Sequence, residues 1–350
     1  MLKNIKESYQ HSYFLYLKLI IASIIIGLIV GIIDTIFGRG LLLIGDIRKG
    51  YLYYFVPFLA LAGLLIVFIY QKFAGKTGKG MGLIFEVGHG TEKEIPLRLI
   101  PIVTVATWIT HLFGGSAGRE GVAVQLGATL SHRFNKYFNF PDKSKVFLVT
   151  GMAAGFGGLF QTPIAALFFG LEVLALGNLQ LYALLPAIVA AFTASWTSSF
   201  LGLEKFTHIV NITLSITPMT FVKFAILGII FGIAGNLFVY LQSFLKKFAA
   251  EKIKNPYYRI FLIGIFLSII LLLLHKGRYT GLGTNLIENS FSGKQIFGYD
   301  WILKLLLTTL TLAAGFQGGE VTPLFSIGAS LGVVIAIFFG LPIEFVAAAG

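Results

Sequence analysis

The sequence predicts an all-α polytopic membrane protein, built from two inverted-topology repeats whose discontinuous helices meet near the midplane. Three observations carry this. Hydrophobic residues make up 56% of the 350 residues and charged residues only 12%, against about a quarter charged in a soluble domain. Several apolar runs stop at glycine-rich stretches, well short of the roughly 20 residues that a full span needs. Ordered motifs also recur at nearly one offset. Gly27 and Gly31 return as Gly228 and Gly232, 201 residues on (228 − 27). Gly80-Met81-Gly82 before Leu83-Ile84-Phe85-Glu86 returns as Gly281-Leu282-Gly283 before Leu286-Ile287-Glu288. Glu120 before Gly127-Ala128-Thr129-Leu130 returns as Glu320 before Gly328-Ala329-Ser330-Leu331. Repeats with interrupted hydrophobic segments in matching positions are the pattern of membrane transporters.

The elements follow in order. Residues 1–15 form an expected cytoplasmic segment carrying Lys3 and Lys6. The apolar run 17–37 is too long for a signal-peptide core and lacks a small-residue cleavage site, so it is a mature span. A second span covers 53–70, and a glycine-rich break follows at 72–82. The short run 99–113 ends at the glycine loop 114–121, from which 122–130 continues. Runs at 146–154, 163–176 and 182–201 complete a first repeat over 16–201. Residues 202–217 are the most polar connector in the middle of the chain. The second repeat, 218–350, has spans at 221–245 and 260–274 and a glycine break at 277–283. Its short run 301–314 meets the loop 315–323, and 324–339 follows.

Net charge is +12. The Lys and Arg sit in short segments between apolar runs, which is the positive-inside pattern and excludes nucleic acid as the partner. With no cysteine, disulfides, thiolate metal sites and a cysteine nucleophile are excluded. No cofactor or metal is expected. Orientation follows from two basic segments read as loops. The first carries Arg39, Arg48 and Lys49; its counterpart carries Lys246, Lys247, Lys252, Lys254 and Arg259. The second is more basic, so it is expected inside, which inverts the repeats and puts the N-terminus inside.

Four loops are expected to converge, around Met81, Glu120, Leu282 and Glu320. Helix N-termini present free N–H groups and the positive end of the dipole, and glycines let the backbone approach a ligand. Such a cradle suits an anion without a fixed cation holding it. Glu120 repels an anion when ionised and can occupy its place; protonated, it can leave. One side chain then links proton uptake to anion movement. The competing reading makes Glu120 a helix-start acid and Thr322 an N-cap beside Glu320. Arg119 reads as a carboxylate or carbonyl partner at the edge of the site. Met81 and Phe85 read as gap-filling or, for the ring edge of Phe85, anion-facing. Gly114-Gly115-Ser116-Ala117-Gly118 also fits the nucleophile-elbow pattern, with Ser116 served by His111 or His132 in an intramembrane hydrolase.

Gly118-Arg119-Glu120-Gly121, together with Gly155-Phe156-Gly157-Gly158, the run from Thr162 through Pro163 to Phe168, and Glu172, resembles the CLC family of anion channels and proton-coupled antiporters. The resemblance runs from about Leu17 to Gly350. It implies further C-terminal helices, one with a Tyr on the anion path. The chain departs from chloride-type members. Met81 stands in place of a Ser-bearing motif, Val122 in place of Pro, and Gly319-Glu320-Val321-Thr322-Pro323 in place of Gly-x-Phe-x-Pro. Val173 stands where chloride/proton members carry an inner proton-transfer Glu. The combination resembles the fluoride/proton antiporter branch.

That resemblance implies Glu120 as the gating and proton-coupling residue. It implies Gly80, Met81, Gly82, Gly118, Arg119, Gly121, Val122, Glu320, Val321 and Thr322 as the surround of the anion, a homodimer, and a bacterial-type plasma membrane. The implied protein is a transporter rather than an enzyme, with fluoride, protons and the lipid bilayer as its partners. The alternative is a chloride/proton exchanger or passive anion channel.

Overall fold

One helix, α1 (Leu2–Gly50), opens the chain. The structure is a computed structural model that describes residues 2–174, 179–208, 210 and 217–350. The sequence places a basic loop after 17–37. The helix instead runs on through Arg39, Arg48 and Lys49. Leu41, at 1% exposure, continues the buried face, and Arg and Lys are good helix formers. The segment expected at 1–15 is helical from Leu2. The counterpart charges also stand on helices: Lys246, Lys247 and Lys252 on α10 (Pro218–Lys252), and Arg259 on α11 (Pro256–Leu273). Of the two expected basic loops, only Lys254 lies between helices. Arg48 is buried and so drops out of a surface-charge argument. The expected connector 202–217 falls outside the described residues at 209 and 211–216.

The remaining helices are α2 (Leu52–Phe55), α3 (Leu59–Ile69), α4 (Met81–Gly88), α5 (Leu99–Leu112), α6 (Glu120–His132), α7 (Lys143–Phe160), α8 (Pro163–Val173), α9 (Leu184–Phe200), α12 (Thr284–Phe291), α13 (Asp300–Ala314), α14 (Val321–Phe339) and α15 (Ile343–Ala349). Their boundaries have local causes. Pro163, Pro218 and Pro256 sit at first helical positions, where a missing N–H costs nothing. Asn255 caps α11 by accepting from the Tyr257 N–H at 2.9 Å. Between α3 and α4 the chain passes through a π turn and a 3-10 turn to Gly80, whose φ of +55° breaks the helix.

Among the described residues, six helical stretches are long and apolar enough to cross a membrane: Phe14–Gly50, Leu52–Gly88, Leu181–Phe200, Pro218–Lys252, Pro256–Leu273 and Val321–Phe339. The helices α5 and α6 are shorter. They meet end to loop, as α13 and α14 do, which is the broken-helix pattern expected from the sequence. Their carbonyls and N–H groups end inside protein, where irregular backbone is tolerated at membrane depth.

The chain packs as two compact units that cut across the sequence halves. One comprises Met1–Gly40, Phe73–Thr104 and Val122–Phe206; the other comprises Leu41–Lys72, Val105–Gly121 and Thr207–Gly350. In the first, α7 packs against α8 and α9, and α1 lays Gly27 and Gly31 against Thr193, Ala194 and Thr197 of α9. Small residues let these backbones close up, the usual device in lipid. The matching pair Gly228 and Gly232 has no described atom within 4 Å of a built Cβ. In the second unit α3, α11 and α13 share a core around Leu59, Ile66, Ile260, Leu267, Tyr279 and Leu307. There α14 packs on α12, α13 and α15.

Candidate functional site

The last turn of α5 and the first of α6 are joined by 113–119. The end of α13 and the start of α14 are joined by 315–320. These two loops pair within the second unit. The Gly118 N–H donates to Gly319 O at 2.6 Å, and the Gly319 N–H donates back to Gly118 O at 2.8 Å. Side chains would forbid this approach. A Cβ on Gly118 would lie 2.6 Å from Glu120 Oε2 and 2.7 Å from Pro323 Cδ; one on Gly319 would lie 2.8 Å from the Glu120 nitrogen.

Glu120 opens α6 and is 1% exposed. Its Oε2 accepts from the Arg119 N–H at 3.0 Å, and the N–H groups of Thr322 and of Glu120 itself face the carboxyl. Oε1 is buried with no hydrogen-bond partner. The carboxyl therefore folds back over the start of its own helix, onto N–H groups that have no partner within the helix. Thr322, 5% exposed, adds a buried hydroxyl without a partner. Glu320 is the N-cap of α14 but its side chain makes no cap hydrogen bond. It is exposed, and Lys246 is the cation facing it. The two sequence-related carboxylates thus sit in unlike surroundings. Arg119 is buried at 4% exposure, and its Nε and Nη1 have no acceptor. Gly121 lies beside Gly319, and Val321 takes the first position of α14.

A third loop joins them. The Gly281 N–H donates to Gly115 O at 3.1 Å. Lys304, 0% exposed inside α13, donates to Ser116 Oγ at 2.9 Å, Gly281 O at 2.6 Å and Tyr279 O at 3.2 Å. The structure therefore brings three of the four expected loops together in one unit. The fourth belongs to the other unit. There Met81 begins α4 after Gly80, a Gly80 Cβ would lie 3.5 Å from Gln125 Oε1, Gly82 is exposed, Phe85 is half-buried and Val122 is fully buried. Lys304 was missed by the sequence reading. Its one signal was a lone cation in the apolar run 301–314.

The hydrolase reading is corrected. Ser116 Oγ bonds Thr308 Oγ1 at 2.8 Å and Lys304. The ring nitrogens of His111 lie 2.9 Å from Thr107 O and Ala117 O, and His132 pairs with Ser144 at 3.0 Å. Neither histidine reaches Ser116, and the Lys304 amine is engaged by three oxygens. The serine lacks the histidine base that this reading requires.

The family profile described as "Voltage gated chloride channel" matches residues 62–350. The chain belongs to this family, the CLC proteins. A crystal structure of a CLC-type fluoride/proton antiporter superposes with a TM-score of 0.94 at 49% identity, over 96% of this chain and 85% of that one. The architecture expected from the sequence is the one this superposition shows. The "Chloride/fluoride channel protein" of Pseudomonas syringae pv. tomato is 34% identical over 299 residues, 83% of this chain and 66% of that protein. The "H(+)/Cl(-) exchange transporter ClcA" of Citrobacter koseri is 27% identical over 348 residues, 92% of this chain and 72% of that protein. The chain thus spans 66% of the length of its Pseudomonas relative.

Proposed function

We propose that this CLC protein exchanges fluoride for protons across the plasma membrane, with Glu120 as the gating and coupling residue. The observation that carries the reading is the Glu120 carboxyl, buried over the α6 N-terminus with Oε1 unpartnered and the Thr322 N–H facing it. An ionised carboxylate there takes the place an anion would fill. A proton arriving on it removes the charge and frees the N–H groups. Fluoride is small and strongly hydrated, so a site that strips its water must return strong donors. Backbone N–H groups and the unpartnered Thr322 hydroxyl are such donors, and a protonated Glu120 is another. Similarity to a chain titled as a fluoride/proton antiporter supports the choice of anion.

Glu320, exposed at the mouth of α14, belongs to the same proposal as a second carboxylate on the fluoride path. So do the inverted repeats over 16–201 and 218–350, a cytoplasmic N-terminus and a homodimeric assembly. A second reading, a chloride/proton exchanger, is favoured by the ClcA relative that matches 92% of the chain.

The test is fluoride-driven proton uptake in proteoliposomes, run beside chloride. Fluoride is expected to drive proton movement and chloride to move far more slowly. Chloride moving as fast would install the second reading. In Glu120→Gln, proton coupling is expected to vanish; coupling that survives unchanged removes Glu120 from the mechanism.

A further inference from the structure

Besides Arg119, the second unit buries two cations away from Glu120 among the described residues. Arg48, on the last turn of α1, is 6% exposed, and Lys304 is 0% exposed. Lys304 is satisfied by its three oxygens. Arg48 is not. Its Nη1 donates to His111 O at 2.5 Å, while its Nε is buried with no acceptor. Among the described residues, no carboxylate is hydrogen-bonded to either cation. Asp46, two residues before Arg48, is exposed and pairs with Lys49 at 3.2 Å. Desolvating a charge without a hydrogen-bonded counter-charge is costly; Asp46 attracts Arg48 only from beyond hydrogen-bond contact, which leaves the buried Nε open to a further negative partner.

Arg48 lines a pocket of about 50 Å³ together with Asp46, Lys49, Thr280, Gly283, Thr284 and Asn285. One wall is the N-terminus of α12. Its N-cap is Gly283, at φ +84°, and no side chain caps it. The first intrahelical bond there is from the Leu286 N–H to Gly283 O, so the Thr284 and Asn285 N–H groups precede the ladder and are free to donate. They add the positive end of the helix dipole. Gly281, at φ +63°, completes the fit: a Cβ there would lie 2.6 Å from Arg48 Nη2, so only glycine admits the guanidinium against this loop.

We infer that this pocket binds a small inorganic anion of the halide class, held by the Arg48 guanidinium and the first-turn N–H groups of α12. The buried Arg48, with Lys49 offsetting Asp46 on the wall, and an uncapped helix start set the sign. Size favours the class: at about 10–15 Å³ for one water, about 50 Å³ suits a halide with a water or two and offers an organic acid with a chain little enclosed room. Neither Glu120 nor Glu320 lines it, so it is separate from the candidate site. It is wired to that site, since Arg48 holds His111 O, the His111 ring meets Ala117 O, and Lys304 ties Gly281 to Ser116. The inference concerns equilibrium binding and stands whether or not the transport reading does.

Bromide is the probe, because it scatters anomalously. Crystals of the full chain soaked in sodium bromide are expected to show an anomalous peak within hydrogen-bond reach of Arg48 Nε. Calorimetric titration with bromide in detergent is expected to weaken at least tenfold for this component in Arg48→Met. Should Arg48→Met fail to fold by gel filtration, Thr284→Glu carries the test. An acid in the first turn suits the helix and places a carboxylate where the anion sits, so the bromide peak at Arg48 is expected to vanish. The inference is overturned if bromide appears elsewhere on the protein but not at Arg48, or if binding is unchanged in the folded variants. Inorganic phosphate is the second probe. Phosphate displacing this bromide at lower concentration would assign the pocket to an oxyanion such as a lipid headgroup and overturn the halide class.

Discussion

Replacing Asp300 with Ala is expected to cost this protein about 3–5 kcal/mol, the range for breaking a buried ion pair from one side. Asp300 is fully buried at the first position of α13. It accepts four hydrogen bonds: from Arg278 Nε at 3.2 Å and Nη2 at 2.7 Å, from the Tyr279 hydroxyl at 2.6 Å, and from the Phe297 N–H at 2.9 Å. The substitution leaves a fully buried tyrosine hydroxyl without an acceptor, which costs about 1–3 kcal/mol by itself. Arg278 keeps Gln295 O at 2.7 Å and is 15% exposed, so part of its charge returns to water. That holds the total within the stated range rather than at the sum of four bonds. Tyr279→Phe in the Asp300→Ala background removes the orphaned hydroxyl and is expected to return about 1 kcal/mol or more. Equilibrium unfolding of the detergent-solubilised chain reads both. A loss below about 1 kcal/mol for Asp300→Ala, or strict additivity with Tyr279→Phe, would refute the view that this carboxylate anchors the segment carrying Tyr279 and Gly281.

Other expectations follow from close contacts and unpartnered groups. A Cβ at Gly127 would overlap the carbonyl oxygen of Gly151 across the α6–α7 contact, so Gly127→Ala is expected to cost about 1–3 kcal/mol of overpacking and to lower the yield of monodisperse protein on gel filtration. Thr322→Val removes a buried hydroxyl that has no partner; stability is expected to change by less than about 1 kcal/mol, while fluoride flux by ion-selective electrode falls about tenfold. Ser116→Ala takes one acceptor from Lys304 and is expected to destabilise by about 1–3 kcal/mol while proteoliposome transport persists. A hydrolytic activity abolished by this substitution would restore the serine reading.

The helices were legible because their signals are local. Apolar runs and the glycine breaks at 72–82, 114–121, 277–283 and 315–323 each act within a few residues. The extent of α1 was not legible. Arg39, Arg48 and Lys49 look like loop charges in isolation, and only the burial of Leu41 and Arg48 shows why the helix continues. The pairing of Gly118 with Gly319 was foreshadowed by the repeat, since two loops of matching kind suggested a shared place. The unlike exposure of Glu120 and Glu320 was not, because the motif gives them equal standing.

Sequence alone determined the class of molecule, the order of its broken helices and the motif that holds Glu120, for composition and glycine placement act along the chain. Tertiary structure decided which charges are enclosed. Lys304 meets Ser116 from 188 residues away, and Gln317 draws on Thr110 from 207. A charge is made useful or costly by the oxygens around it, and those arrive from segments that no local pattern connects.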